Sequence, residues 1–287
     1  QNKEGLGDIS EEDRILAVNE VDSLDYLLKV WDTSLEVRFV EKFGYLEKYN
    51  AIVTKRIKAD FLFKKFRLHD QFGKSNDSGF DSVKNGLANF GASLRAFHSV
   101  SSEATQFYAD DYELKFEKYL SVLEKYGACR KKLSVVKKYL AEHKGYSCDS
   151  YFVNNLKGID IRQIFIEGNE LSIIDPGKIS TGLAEVDIAR FVVTCRILYW
   201  GTSAILWKTR PSVRYEKAFL DGYYVSDDRA QKIIKFLIIK EVLKHWKMAH
   251  NSLSKRNWNG YVKFFLRKIY IDPFYYKLLT DELSGLH

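Results

Sequence analysis

Residues 156–190, LKGIDIRQIFIEGNELSIIDPGKISTGLAEVDIAR, decide how this chain folds. Ile164-Phe165-Ile166 and Leu171-Ser172-Ile173-Ile174 are short apolar runs on either side of Glu167-Gly168-Asn169-Glu170. Glycine and asparagine tolerate the positive φ of tight hairpin turns, so the segment predicts a β-hairpin. The second strand delivers Asp175 at an apolar strand end, where a carboxylate is held rigidly at a cleft instead of riding on a mobile loop. Hard divalent cations take such oxygen ligands, which makes Asp175 the candidate metal-ligating acid. An acid that simply caps the next turn is the plainer alternative. Pro176 and Gly177 then turn the chain, and Asp187 opens an apolar helix.

The 287 residues suit one two-lobed domain or two small ones, and 46% hydrophobic residues supply a real core. Cys129, Cys148 and Cys195 are odd in number and widely spaced, which argues against a disulfide framework or a zinc site and for a reducing cytoplasm. No run reaches the ~18 to 20 apolar residues of a membrane span, and the opening QNKEGLGDISEEDR is too polar for a signal peptide. With Gln1 first and Met248 the sole methionine, the sequence reads as lacking its natural beginning. The net charge of +7 is spread along amphipathic segments such as EKYLSVLEKYGACRKKLSVVKKYL, where bases alternate with acids. That pattern favours a solvated helix surface over an anionic substrate or membrane partner, and it disfavours direct nucleic-acid recognition.

Outside the central hairpin the signals are mostly helical. Ser10 followed by Asp13 opens the stripe Ile15, Val18, Val21, Leu24, Leu27, Leu28 and Trp31, which predicts a helix over 11–32. Residues 36–43 and 49–57 read as adjoining antiparallel strands. Residues 75–79 read as a loop, and Val83, Leu87, Phe90, Leu94 and Phe97 place a helix that ends near His98. Residues 101–144 predict two amphipathic helices broken near Gly127, and the chain after Asp187 reads as helical throughout. The run WNGYVKFFLRKIYIDPFYYKLL suits either a helix-packing surface with snorkelling lysines or a contact with anionic lipid or a phosphorylated ligand.

This order of elements, with the hairpin and IDPG, resembles the kinase-like phosphotransferases, especially the aminoglycoside phosphotransferase and choline kinase branch. The resemblance implies an α+β, protein-kinase-like two-lobed fold. Residues 1–57 would be a partial, reduced small lobe, and residues 58–287 a mostly helical large lobe carrying the catalytic-type hairpin. IDPG resembles the family's Asp-x-Gly element, which implies Mg²⁺ at Asp175. Glu20 in NEVDSL aligns with the helix-borne acid that pairs with the ATP-binding lysine, and NAIVTKRI resembles the last small-lobe strand and hinge. Lys55 in that strand is a local candidate for the lysine itself, with the hinge reading favoured. LANFGASLRAFHS is similar to the family helix that ends in Leu-x-x-x-His. The family's Gly-rich loop and strand lysine have no counterpart in the sequence.

The upstream loop departs from the family pattern, in which a catalytic acid is followed five positions later by a metal-binding asparagine. Counting back without gaps puts Gln163 at the asparagine, Gly158 at the acid and Leu156 at the histidine. Asp160, two residues on, is the candidate substitute base, with an ordinary loop acid as the alternative. The resemblance assigns Lys157 and Arg162 to the transferring phosphate, although Lys157 also reads as a surface lysine, and Gln163 to a carbonyl ligand. Asp187 aligns with the acid that braces the catalytic loop, and His98 reads as a helix-end histidine. The expectation is an ATP- and Mg²⁺-dependent phosphotransferase acting on a hydroxyl of a small molecule or glycolipid. Helices between His98 and Leu156 would form the acceptor pocket, and the protein would be cytoplasmic, with membrane-peripheral contact left open. The rivals are a catalytically degenerate kinase-like scaffold and, from charge alone, an RNA-associated module.

Overall fold

Ser10 starts the first helix, α1 (Glu11–Val30): its Oγ accepts the Asp13 amide, and three acids occupy the positive end of the helix. The computed structural model describes residues 10–65, 78–198, 212–225 and 227–284. Of the expected α1 stripe, Leu24, Leu27 and Trp31 are buried, whereas Ile15, Val18 and Leu28 stand exposed.

The expected strand over 36–43 is two strands. Glu36 takes a positive φ of 58°, and β1 (Val37–Phe39) runs parallel to a distant partner, while β2 (Lys42–Leu46) pairs antiparallel with β3 (Ala51–Thr54). Asn50 makes the β2–β3 turn possible in the left-handed region, and its Oδ1 accepts the Tyr45 hydroxyl at 2.6 Å. β4 (Asp60–Phe61) follows the hinge-like stretch. The loop expected at 75–79 lies outside the described residues as far as 77, and Ser78 already belongs to α2 (Ser78–Val100). Val83, Leu87, Phe90, Leu94 and Phe97 are all buried, as their spacing predicts.

Between α2 and the hairpin the sequence reading found only helices. The chain forms β5 (Glu103–Tyr108), α3 (Glu113–Lys125), α4 (Arg130–Glu142) and β6 (Ser147–Leu156). Gly127, at φ 78°, breaks the two helices as expected. β5 and β6 escaped notice because EATQFY and SCDSYFVNNL lack clean alternation. β7 (Ile164–Glu167) and β8 (Glu170–Ile173) form the expected hairpin in the register Ile164↔Ile173 and Glu167↔Glu170, and Gly168 alone supplies the positive φ of the turn. Ile164, Ile166, Leu171 and Ile173 are buried, each stabilising the fold by about 1.5–3 kcal/mol. The sheet order is β1-β8-β7-β4. β9 (Ile179–Leu183), also unforeseen, pairs antiparallel with β6 from Leu156↔Ile179 to Phe152↔Leu183.

Downstream come α5 (Ala184–Ile197), α6 (Val213–Tyr223), α7 (Asp228–Lys255), α8 (Gly260–Leu266), a π-helical turn (Arg267–Ile271) and α9 (Asp272–Ser284). Contacts divide the chain into two compact units. The first comprises the described parts of Gln1–Ser102, Phe152–Asp187 and Lys217–Tyr224, and the second those of Glu103–Tyr151, Ile188–Glu216 and Val225–His287. In the second unit, Phe236 of α7 is ringed by Phe107, Tyr112 and Phe116. The same unit holds a buried ion triad: Arg196 binds Glu216 at 3.0 Å and Glu282 at 2.6 Å.

Candidate functional site

All the residues of this site belong to the first unit. The hairpin continues its ladder one step past β8, with the Ile174 amide donating to the Gln163 carbonyl, and so sets Asp175 beside Gln163. Gln163 closes a single 3₁₀ turn (Ile161–Gln163) and its Nε2 donates to Asp175 Oδ2 at 2.5 Å. The other carboxylate oxygen accepts the Gly177 amide at 2.9 Å, an Asx turn that fixes the carboxylate orientation. Asp175 is half-buried, and the Gln163 side-chain oxygen, Oε1, is buried with no hydrogen-bond partner. A bare amide oxygen beside a carboxylate is a costly pair of acceptors unless a cation or donor arrives to satisfy them. That donor set suits a hard cation. Among the described residues there is no cluster of three or more His, Cys, Asp or Glu that could enclose a metal by itself. The chain therefore offers part of a coordination shell.

Helix α1 adds a second acid. Ser23 Oγ donates to the Asn19 carbonyl and accepts the Ile179 amide at 3.1 Å, which ties α1 to the strand after Asp175. Glu20 lies one turn before Ser23 and shares its face. Burial, and then the Asp175 charge, push the Glu20 carboxyl above its ordinary range. The charges of the two carboxylates thus act on one another. Lys42 pairs with Asp25 at 2.6 Å, and Lys55 is exposed and pairs with Glu41 at 3.2 Å. The structure thus brings Lys55 to Glu41, beside a cavity of about 230 Å³ that Arg56, Lys58 and Glu170 also line.

The loop before the hairpin is clamped to IDPG. Lys157 and Gly158 amides donate to the Lys178 and Pro176 carbonyls, extending the β6–β9 ladder. A Cβ on Gly158 would lie 2.4 Å from the Gly177 amide nitrogen, and one on Gly177, already at φ 63°, would lie 2.5 Å from the Gly158 nitrogen. No side chain fits at 158 without moving backbone. Asp160 caps the 3₁₀ turn by accepting the Arg162 amide, and it also holds the Arg162 side chain through both carboxylate oxygens. Asp160 and Arg162 therefore occupy each other, with Arg162 largely exposed, and Lys157 projects from the surface.

Asp187 is fully buried and accepts the Leu156 amide at 2.7 Å, holding the start of the same loop. His98 lies 3.3 Å from that carboxylate, and its other ring nitrogen meets the Tyr223 hydroxyl at 2.7 Å. Burial raises the Tyr223 phenol, with Glu185 and Asp187 adding to the effect, so it stays a neutral hydroxyl. Ser23 and Tyr223 were missed from sequence. A hydroxyl inside the buried α1 stripe was a signal for Ser23, but nothing marks Tyr223, 125 residues from His98.

No family model matches this chain, and no curated protein matches it either. Solved structures do. A glucosamine kinase in crystal form A is 12% identical over 94% of this chain and 70% of its own, with a TM-score of 0.55. The same enzyme in crystal form B matches at 12% identity and TM-score 0.50 over 82% of this chain, which spans only 61% of that protein's length. A choline/ethanolamine kinase family protein from Mesorhizobium loti is 11% identical over 96% of this chain and 84% of its own, with a TM-score of 0.51. The α+β fold, largely helical with small sheets, is thus the kinase-like fold of these solved small-molecule kinases.

Proposed function

We propose that this chain binds Mg²⁺·ATP at Asp175 and transfers phosphate to a hydroxyl of a small molecule. The observation that carries the reading is the juxtaposition of Asp175, the unpartnered Gln163 oxygen and Glu20, which leaves negative charge for an arriving cation to neutralise. Asp175 and Gln163 would hold the metal, which supplies positive charge to the nucleotide phosphates when bound. Glu20 would orient a lysine or the metal's hydration shell. Asp187 and His98 fix the loop that carries Asp160, the remaining candidate to accept the acceptor hydroxyl's proton once Arg162 moves toward phosphate. In this reading residues 1–57 act as the reduced small lobe and residues 58–287 as the large one.

The acceptor side falls to α3 and α4. They line a cavity of about 500 Å³ with Phe116, Phe236, Asp110, Glu113 and Glu117, together with Lys144 and a Lys137–Glu124 ion pair. Such a lining suits an acceptor that bears an amine, a feature of the glucosamine, choline and ethanolamine in the names of the structural neighbours. The test is thermal protection and labelled-phosphate transfer. Mg²⁺ with ATP should raise the melting temperature of the wild type and not of Asp175→Asn, and an amino alcohol or amino sugar should become labelled only with the wild type. Absence of Mg²⁺-dependent ATP protection in the wild type would reject the proposal. The second reading, a kinase-like scaffold without catalysis, is favoured by the closed Gly158–Gly177 crossing and by Asp160's engagement with Arg162. ATP protection without transfer to any acceptor would select it.

A further inference from the structure

The second unit carries an apolar surface that its own core does not use. Asn259 caps α8 by accepting the Tyr261 amide at 2.8 Å, so the helix begins just after Trp258. At 3.6 residues per turn, Phe264, Tyr261, Phe265, Ile269 and Val262 fall within about 160° of one face. That face points outward: Tyr261 is 86% exposed, Phe264 61%, Phe265 52% and Trp258 49%. The opposite face anchors the helix, with Lys263 Nζ donating to the Ser254 carbonyl and the Arg267 guanidinium to Ser254 Oγ. The sequence reading of this run as a packing surface therefore fails for α8. Its aromatic side chains are spent on solvent, a cost that a folded protein rarely carries without an occupant.

Charge identifies the occupant. Residues 255–270 contain Lys255, Arg256, Lys263, Arg267 and Lys268 and no acid, so the exposed aromatic face is bordered by positive charge alone. Buried cores of protein interfaces are depleted of charge, whereas protruding Trp, Tyr and Phe bordered by Lys and Arg match the headgroup layer of an anionic bilayer. No helix among the described residues is long and apolar enough to cross a membrane, so such a helix would lie in the interface plane. We infer that the face formed by Trp258, Tyr261, Phe264, Phe265 and Ile269 seats on an anionic phospholipid membrane, with the exposed Lys255 and Arg256 against lipid phosphates. This inference stands independently of phosphate transfer.

The test is co-sedimentation of the 287-residue chain with vesicles of phosphatidylcholine alone or with one third phosphatidylserine. Binding should be at least about tenfold tighter to the anionic vesicles, and about tenfold weaker for Lys255→Glu/Arg256→Glu or in high salt. Phe264→Ser/Phe265→Ser should lose binding while keeping the wild-type circular dichroism and melting temperature. Tyr261→Ser, at the most exposed position, should weaken binding severalfold and serves if the double variant misfolds. Equal binding to both vesicle types, binding to neither, or full binding by the serine variants would overturn the inference. A wild-type dimer that the same serine substitutions turn into a monomer, with no vesicle binding, would overturn it in favour of a contact between two copies.

Discussion

The buried ion triad around Arg196 and the acid pair at Asp175 treat charge in opposite ways. Arg196 is held by Glu216 and Glu282, and although burial alone would work against its charge, the two carboxylates raise the guanidinium above its ordinary value. Nearby Glu241 is likewise surrounded by Lys240 and Lys244, and despite the desolvation that opposes its charge they bring it down to about 2. At Asp175 two neutral donors, the Gln163 Nε2 and the Gly177 amide, hold the carboxylate, while the charge that it meets is that of another acid, Glu20. Where the protein neutralises its own buried charge, the charge serves the fold. Where it leaves charge uncompensated, the site stores repulsion that a ligand releases.

The largest expected effect tests the first half of that contrast. Arg196→Met strands two buried carboxylates and should cost about 3–5 kcal/mol in urea unfolding. A loss under about 1 kcal/mol would show that the triad is not a fold-holding device. Next in size, Asp160→Ala should lower turnover roughly 10²-fold or more if it replaces the base absent at Gly158. An unchanged rate would return Asp160 to the role of cap and Arg162 partner. Asp187→Asn, which weakens the carboxylate's hold on the Leu156 amide and its contact with His98, should destabilise by about 1–3 kcal/mol.

The two sites should also differ in the sign of their response to pH. Glu241 is depressed in the folded state, so its contribution is present above the unfolded value of 4.5 and is lost as pH falls toward about 2. Glu20 is raised, so it costs the unliganded protein stability as pH climbs from 4.5 through its folded value. Melting temperature against pH should therefore flatten on the acid side in Glu241→Gln and on the rising side in Glu20→Gln; parallel curves would erase the distinction. Smallest of all, Asp175→Asn should stabilise the unliganded protein slightly, by up to about 1 kcal/mol, through relief of like charges. A clear destabilisation would place Asp175 among the fold-holding acids.

Much of the fold was legible because it is written in local periodicity. The 3.6-residue stripe of α2 and the Gly168 turn of the β7–β8 hairpin need only their own residues to be read. β5, β6 and β9 were invisible because their pairing is tertiary: Asn154 and Asn155 sit in β6 as polar residues, satisfied by Tyr26 and by the Leu183 carbonyl. The single strand expected over 36–43 failed for a similar reason, since β1 is defined by β8 more than 130 residues away. At the site, the sequence marked Asp175 and Gln163 for a metal, Glu20 and Lys55 for the nucleotide, and Asp160, Lys157 and Arg162 for catalysis. It had no means to show that Lys55 meets Glu41, or that a tyrosine from α6 would hold His98.

The crossing of Gly158 over Gly177 has an evolutionary consequence. Each glycine is permitted only by the other's lack of a side chain, so neither codon can change alone without driving backbone into backbone. A side chain could enter position 158 only along a route that first reshapes the IDPG turn, and that turn holds Asp175 through the Gly177 amide.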